Sequence, residues 1–352
     1  MVFKIISGSW PPEVCGCGDF AHGLLQAMLR AGYNAKPFTL KKYDVLRSFT
    51  LLIGSHTSNA RQILVYPTEG YGYSLLPFLL ALGSRDNVIL YCHEYATKNK
   101  YCRWLLRLFR WHSTILFGNE FDRNLYCSHT AHTPGSSLQR IATGIPSNIP
   151  VACARGNRDS SCREAPVLCH FGQIRTNKGL EELLQVFTQV KANHPAIRLR
   201  LIGGYPSAYE KYASSIISRF QDLGVELCLN GSPEEVSMRL GECDAFVSMY
   251  PEGVCERRGS LMAALSHGLT CYSTDGIRTP EFFHALCKLY PCPQGSEDRS
   301  AWIRGFARWL GNEITMAAAV PSGGTSAEAF IQERTFDGIA RRVFNLANRR
   351  MD

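Results

Sequence analysis

Short apolar runs alternate with longer amphipathic stretches along most of this chain, and that alternation predicts strands feeding helices. Residues 2–7 read as a buried strand, 20–30 as a helix closed by Gly32, and 35–40 as the next strand. The order returns with strand 62–66 and helix 75–82, then strand 88–91 and helix 98–111, then strands 114–117 and 139–142. Between 151 and 165 the segment VACARGNRDSSCREA is polar and small, without a period, and marks a linker. A second series follows: strand 167–171, helix 179–193, strand 197–202, helix 208–222, strand 225–229, helix 233–242 and strand 245–249. Another helix opens at Gly259, and residues 327–349 read as a final amphipathic helix.

Strands alternating with helices imply parallel sheets with helices on both faces. The chain has 352 residues, more than one hydrophobic core ordinarily serves, so two domains are expected. The predicted architecture is α/β, with two Rossmann-like doubly wound domains facing across a cleft. Residues 1–150 form the first, 151–166 the linker, 167–326 the second, and 327–352 a helical tail. Ligands of such sheets sit at the carboxyl ends of strands, where loops meet helix N-termini.

A formal net charge of +8 favours anionic partners such as nucleotides, phosphates or an acidic membrane surface. Nucleic acid is not indicated, because zinc-finger spacing is absent and basic residues do not cluster with stacking aromatics outside helix 98–111. The 14 cysteines form no CxxC pair, and Cys92, Cys169, Cys228 and Cys271 lie in or beside apolar strand-like runs. With no leader-like start, this reads as a reducing cytosol with free thiols. No apolar run reaches bilayer length.

Four segments carry candidate chemistry. The richest is PEGVCERRGSLMAALSHG, residues 251–268, where a strand feeds a helix whose first turn holds Gly259 and Ser260. Free backbone N–H groups and the positive helix end there, with Arg257 and Arg258 at the mouth, make an anion site suited to phosphate. The alternative is a plain helix cap with two solvated arginines. In HFGQIRTNKGLEELL, Arg175 offers a planar fork and Lys178 a point charge ahead of the Gly179 helix, which suits a diphosphate. The alternative is two exposed cations. His93 and Glu94 end the strand in VILYCHEY, where His93 is either a catalytic or polarising group or a structural histidine. In the first loop, Gly16 and Gly18 allow close backbone approach to a ligand, but the glycine spacing is not the dinucleotide fingerprint.

Two further patterns bear on membrane and metal partners. Arg103, Arg107 and Arg110 share one face of a helix rich in Trp and Leu, which suits either an anionic bilayer surface or ordinary packing with solvated arginines. His129 and His132 have HxxH spacing in a Ser/Thr loop without a third ligand, so no metal is expected there, and no paired carboxylates mark a metal-held nucleotide.

Together these pieces resemble the GT-B glycosyltransferases, specifically the glycosyltransferase family 4 group, from about Phe3 to the C-terminal helix. PPEVCGCGDFAHGLLQAMLRAGY, YPTEGYGYSLLPFLL, LYCHEY and IATGIPSNIP resemble first-domain segments; FGQIRTNKGLEELLQVF, LRLIGG and PEGVCERRGSLMAALSHGL resemble the sugar-nucleotide half; TFDGIARRVFNL resembles the helix that returns to the first domain. The resemblance implies hexosyl transfer from a nucleotide-diphosphate sugar, with retention, without metal or cofactor, to a glycan or lipid-linked acceptor at a cytoplasmic or membrane-surface location. It also implies that Arg175, Lys178, Arg257, Arg258, Gly259 and Ser260 hold the donor diphosphate. By the same resemblance His93 lies beside the transferred sugar, and Gly16, Gly18 and Asp19 form a donor and acceptor loop. The family's usual glutamate pair falls at Cys255 and Ala263 here, and Glu256 is the substitute candidate. A sugar-nucleotide epimerase and a catalytically silent scaffold are the alternative readings.

Overall fold

A computed structural model describes residues 2–13, 15–41, 60–71, 74–83, 88–111, 114–130, 136–138, 166–293, 298–317 and 335–348. The chain divides into two compact units, Met1–Gly144 with Glu333–Asp352, and Ile145–Gln332. The expected linker 151–165 lies outside the described residues, as does the strand expected at 139–142.

The first unit runs β1 (Val2–Ser7), α1 (Gly16–Arg30), β2 (Asn34–Thr39), β3 (Ala60–Tyr66), α2 (Leu76–Gly83), β4 (Val88–Cys92), α3 (Lys100–Arg107), β5 (Ile115–Phe117), α4 (Glu120–Thr130) and β6 (Ser136–Leu138). All pairings are parallel, in the order β2-β1-β3-β4-β5-β6. Strand periodicity splits β1 between two cores: Phe3 and Ile5 pack on one face and Ile6 on the other. The first face is covered by α1 and by the final helix, α10 (Phe336–Asn348), through Leu24, Met28, Ile339 and Val343. Gly23 makes that packing possible, because a Cβ there would run into the Phe336 ring. The helix expected at 327–349 thus begins at Phe336 among the described residues.

The second unit runs β7 (Val167–Phe171), α5 (Leu180–Asn193), β8 (Arg198–Gly203), α6 (Glu210–Asp222), β9 (Glu226–Leu229), α7 (Pro233–Gly241), β10 (Ala245–Val247), α8 (Gly259–Ser266), β11 (Thr270–Asp275), β12 (Lys288–Pro291) and α9 (Arg299–Ala317). Its order, β12-β11-β10-β7-β8-β9, is again wholly parallel and reverses direction between β7 and β10. That reversal is the switch point at which open α/β sheets receive ligands. β11, β12 and α9 were not anticipated from the sequence.

Three expectations are corrected. Gly16, Gly18 and Asp19 belong to the opening turns of α1 rather than to a loop, since Cys15 takes the extended cap conformation and the Asp19 N–H already reaches the Cys15 carbonyl at 2.9 Å. The predicted helix 98–111 starts later, where Asn99 Oδ1 accepts the Cys102 N–H at 2.8 Å, and tightens into a 3₁₀ turn at Leu108–Trp111. His129 sits in the last turn of α4, not in a loop, because Asn119 caps that helix through the Asp122 N–H at 2.8 Å; His132 lies outside the described residues.

Candidate functional site

The second unit builds its site from two segments flanking the switch point. The first leaves β7 at Gly172, whose N–H reaches the Ile202 carbonyl at 3.0 Å, while the Ile174 N–H reaches Gly204 at 2.9 Å. This ties the segment to the end of β8. It continues through Arg175 and Lys178, both half-buried, to Gly179. Gly179 caps α5 in the left-handed region, with φ 73°, and a Cβ there would collide with the Met249 carbonyl just beyond β10. Only glycine lets the cationic loop close down on the second segment. Arg175 Nε is buried and has no hydrogen-bond partner among the described residues.

The second segment, Tyr250 to Arg258, is stitched to neighbouring strands. The Tyr250 carbonyl accepts from Thr274 Oγ1 at 2.6 Å, and the Val254 N–H donates to the Thr274 carbonyl at 3.0 Å. Gly253, at φ 86°, packs against Gly276. α8 then starts at Gly259 with no side-chain cap on its first turn, so its N-terminal amides face outward along the helix axis. The two segments meet at Gly172. An ideal Cβ on that glycine would lie 3.8 Å from His170 Nε2 and 4.0 Å from Ser260 Oγ. Burial, together with the charge of Lys178, lowers His170 to about 4, and its Nδ1 pairs with the Val247 carbonyl at 3.0 Å. Loop cations, a neutral imidazole and the α8 N-terminus therefore share one corner of the sheet.

The arginine pair after the turn divides its work. Arg257 is half-buried, and its carbonyl accepts the Gly259 N–H at 3.1 Å. Arg258 lies over the Tyr250 ring, 4.3 Å from its centroid, and donates to Glu252 Oε2 at 3.2 Å; Arg278 reaches the same oxygen at 3.2 Å. Its charge is thus largely committed within the protein. Glu256 is 1% exposed, and Cys255 and Ala263, at the usual glutamate places, are buried. An alanine there fits because that face of α8 belongs to the core.

In the first unit His93 directly follows β4 and is 4% exposed. Its backbone N–H reaches the Tyr66 carbonyl at 2.9 Å, and the Phe20 ring meets its imidazole edge-on at 4.4 Å. Phe20 comes from α1, two residues after Gly18. Gly18 itself packs so closely on Ser9 that a Cβ would sit 2.8 Å from the Ser9 carbonyl oxygen. Asp19 is exposed at the surface, yet surrounding chain raises its carboxyl from the ordinary value. The loop after His93 is fixed by Asp122 and Tyr95, which the sequence did not single out, together with His129 and Arg107. Buried Asp122 accepts the Ala96 N–H at 2.9 Å, and the Tyr95 hydroxyl joins His129 Nδ1 at 2.8 Å and Arg107 Nε at 3.1 Å. Glu94 turns outward to Lys98 at 3.1 Å. The Asn119–x–x–Asp122 cap spacing was the available signal. Among the described residues no group of three His, Cys, Asp or Glu side chains is placed to hold a metal ion.

No protein-family model matches the chain, and no curated protein matches it. Solved structures do. The lipopolysaccharide outer core galactosyltransferase WaaB, in its apo form, aligns over 99% of this chain and 99% of its own, at 14% identity and a TM-score of 0.61. Anabaena HepE in complex with UDP and glucose aligns over 98% and 99%, at 11% identity and a TM-score of 0.65. Sucrose-phosphate synthase from Thermosynechococcus elongatus aligns over 99% and 98%, at 15% identity and a TM-score of 0.63. The chain has the fold of the GT-B glycosyltransferases.

Proposed function

We propose that this protein is a family 4-like hexosyltransferase that moves a sugar from a nucleoside-diphosphate sugar to an acceptor hydroxyl, with retained anomeric configuration. One observation carries the reading. At the switch point of the second unit, Gly179 lets the Arg175–Lys178 loop close on the segment that leads into α8, so a cationic loop and a helix N-terminus without a side-chain cap lie at the same end of the sheet. A diphosphate is the ligand that uses both. UDP in the HepE structure and UDP with GlcNAc in the structure of the pneumococcal transferase GtfA support a nucleotide-sugar donor.

The chemistry follows from charge. Breaking the bond from the anomeric carbon to the phosphate oxygen leaves its electron pair, and one more negative charge, on the diphosphate. Cations and fixed N–H dipoles stabilise that charge more in the transition state than before it. Arg175, Lys178 and the positive N-terminal end of α8 at Gly259 and Ser260 serve this role in place of a metal ion. The acceptor oxygen attacks from the face the diphosphate leaves, and its proton passes to the departing phosphate oxygen. His93, held against Phe20, is assigned as a contact to the transferred sugar.

The acceptor is a glycan or lipid-linked glycan, and the first unit meets a cytoplasmic membrane surface. The support is an exposed strip in which Tyr101 and Trp104 of α3, 45% and 53% exposed, stack beside Lys100 and Arg103. Among the described residues no helix is long and apolar enough to cross a membrane. Isothermal titration with UDP, GDP, ADP and dTDP tests the donor assignment, and the absence of binding to all of them overturns it. Flotation with anionic vesicles at low salt tests the surface; protein remaining at the bottom of the gradient removes it.

A further inference from the structure

The Tyr250 hydroxyl lies 2.9 Å from Ser260 Oγ, and Tyr250 is 3% exposed. Its ring cannot turn freely, because Arg258 covers one face and is itself held by Glu252, which also binds Arg278. Tyr250, Glu252 and Arg258 precede Ser260, the second residue of α8, and Arg278 follows it. Ser260 Oγ in turn lies beside Gly172, where the cationic loop begins.

A serine hydroxyl has one proton and can serve an incoming anion only if that proton points at it. Phosphate oxygens under these conditions only accept. If Ser260 donates to Tyr250, its lone pairs face the anion and repel it. If Tyr250 donates to Ser260, the serine proton is released for the phosphate. The phenol is the more acidic partner and the better donor. Resting on the diphosphate reading above, we propose that Tyr250 is a positioning residue that donates its phenolic proton to Ser260 Oγ and so aims the Ser260 O–H at a phosphate oxygen of the donor. Arg258, Glu252 and Arg278 act through the ring. This gives the arginine after the turn a job other than direct contact with the diphosphate.

The test is a thermodynamic cycle on the full chain with Tyr250→Phe, Ser260→Ala and the double variant, read by titration with the tightest-binding nucleoside diphosphate of a UDP, GDP, ADP and dTDP panel. Each single variant is expected to weaken binding about three- to tenfold, the range of one hydrogen bond. The double variant is expected to bind like Ser260→Ala, since Tyr250 acts only through that serine. Ser260→Thr keeps the hydroxyl and should retain most of the affinity and its sensitivity to Tyr250→Phe. Losses that multiply in the double variant, or a Tyr250→Phe protein with unaltered affinity, overturn the inference while leaving the diphosphate site standing. A native protein that binds none of the four overturns both. Thermal melting of each variant separates lost folding from lost aim, because a packing defect lowers the melting temperature without coupling to position 260.

Discussion

Gly179 and Met249 touch main chain to main chain: a Cβ on the glycine would lie 3.0 Å from Met249 Cβ and would overlap the Met249 carbonyl. The glycine also sits at φ 73°. Gly179→Ala therefore meets two penalties at once, left-handed strain of about 1–3 kcal/mol and displacement of the segment that follows β10. The expected result is a lower urea midpoint and weaker nucleoside-diphosphate binding together. A variant that keeps both at native levels shows that the cationic loop does not depend on this contact.

Arg175 and Lys178 are half-buried and stand outside the apolar core. Replacing either with Ala should leave the melting temperature nearly unchanged and weaken UDP binding by about ten- to a hundredfold, as expected for a charge-assisted hydrogen bond. Arg175→Lys should recover only part of the loss, because an ammonium cannot make the forked contact. Titration calorimetry reads the series directly, and native affinity in both alanine variants removes these residues from the site.

His93 makes a different prediction because it belongs to the other unit. His93→Ala should lower kcat about a hundredfold or more while leaving UDP affinity within twofold. His93→Asn preserves much of the volume against Phe20 and separates chemistry from the cavity left by truncation. Equal turnover for native and His93→Asn protein would make this a packing histidine.

His170 sets a pH dependence. Its folded value is about 4 against an ordinary 6.5, with burial the main cause and Lys178 adding to it. Between those values the unfolded chain holds more protons than the folded one, so stability falls as the pH drops through that window. Above pH 6.5 the contribution is constant. The full loss is about 3 kcal/mol for a group this buried. His170→Asn, whose amide nitrogen can replace Nδ1 opposite the Val247 carbonyl, should flatten the acid limb of denaturation midpoints plotted against pH. An unchanged limb assigns the sensitivity elsewhere.

Much of this was legible in the chain because the signals were local. A buried strand such as Val2–Ser7 announces itself by composition, and α5 and α8 by glycine at their starts and apolar residues after. Residues 270–291 were less legible. β11 is flanked by short turns and β12 has only exposed and half-buried positions, so neither carries a clean period. α9, by contrast, carries a helical stripe of Ile303, Phe306, Ala307, Leu310 and Ile314, a period that the sequence does show.

The sequence by itself determined the order of strands and helices and which of their ends carry cations, glycines and histidine. Those properties depend on side chains a few positions apart. Tertiary structure alone decided which ends meet. The strand order that sets β7 against β10 brings His170 to the Val247 carbonyl and Gly172 to Ser260, pairs far apart along the chain. It also decided that Arg258 faces Tyr250 and Glu252, because a guanidinium settles wherever a ring face and a carboxylate happen to be fixed, and no spacing in the sequence records that.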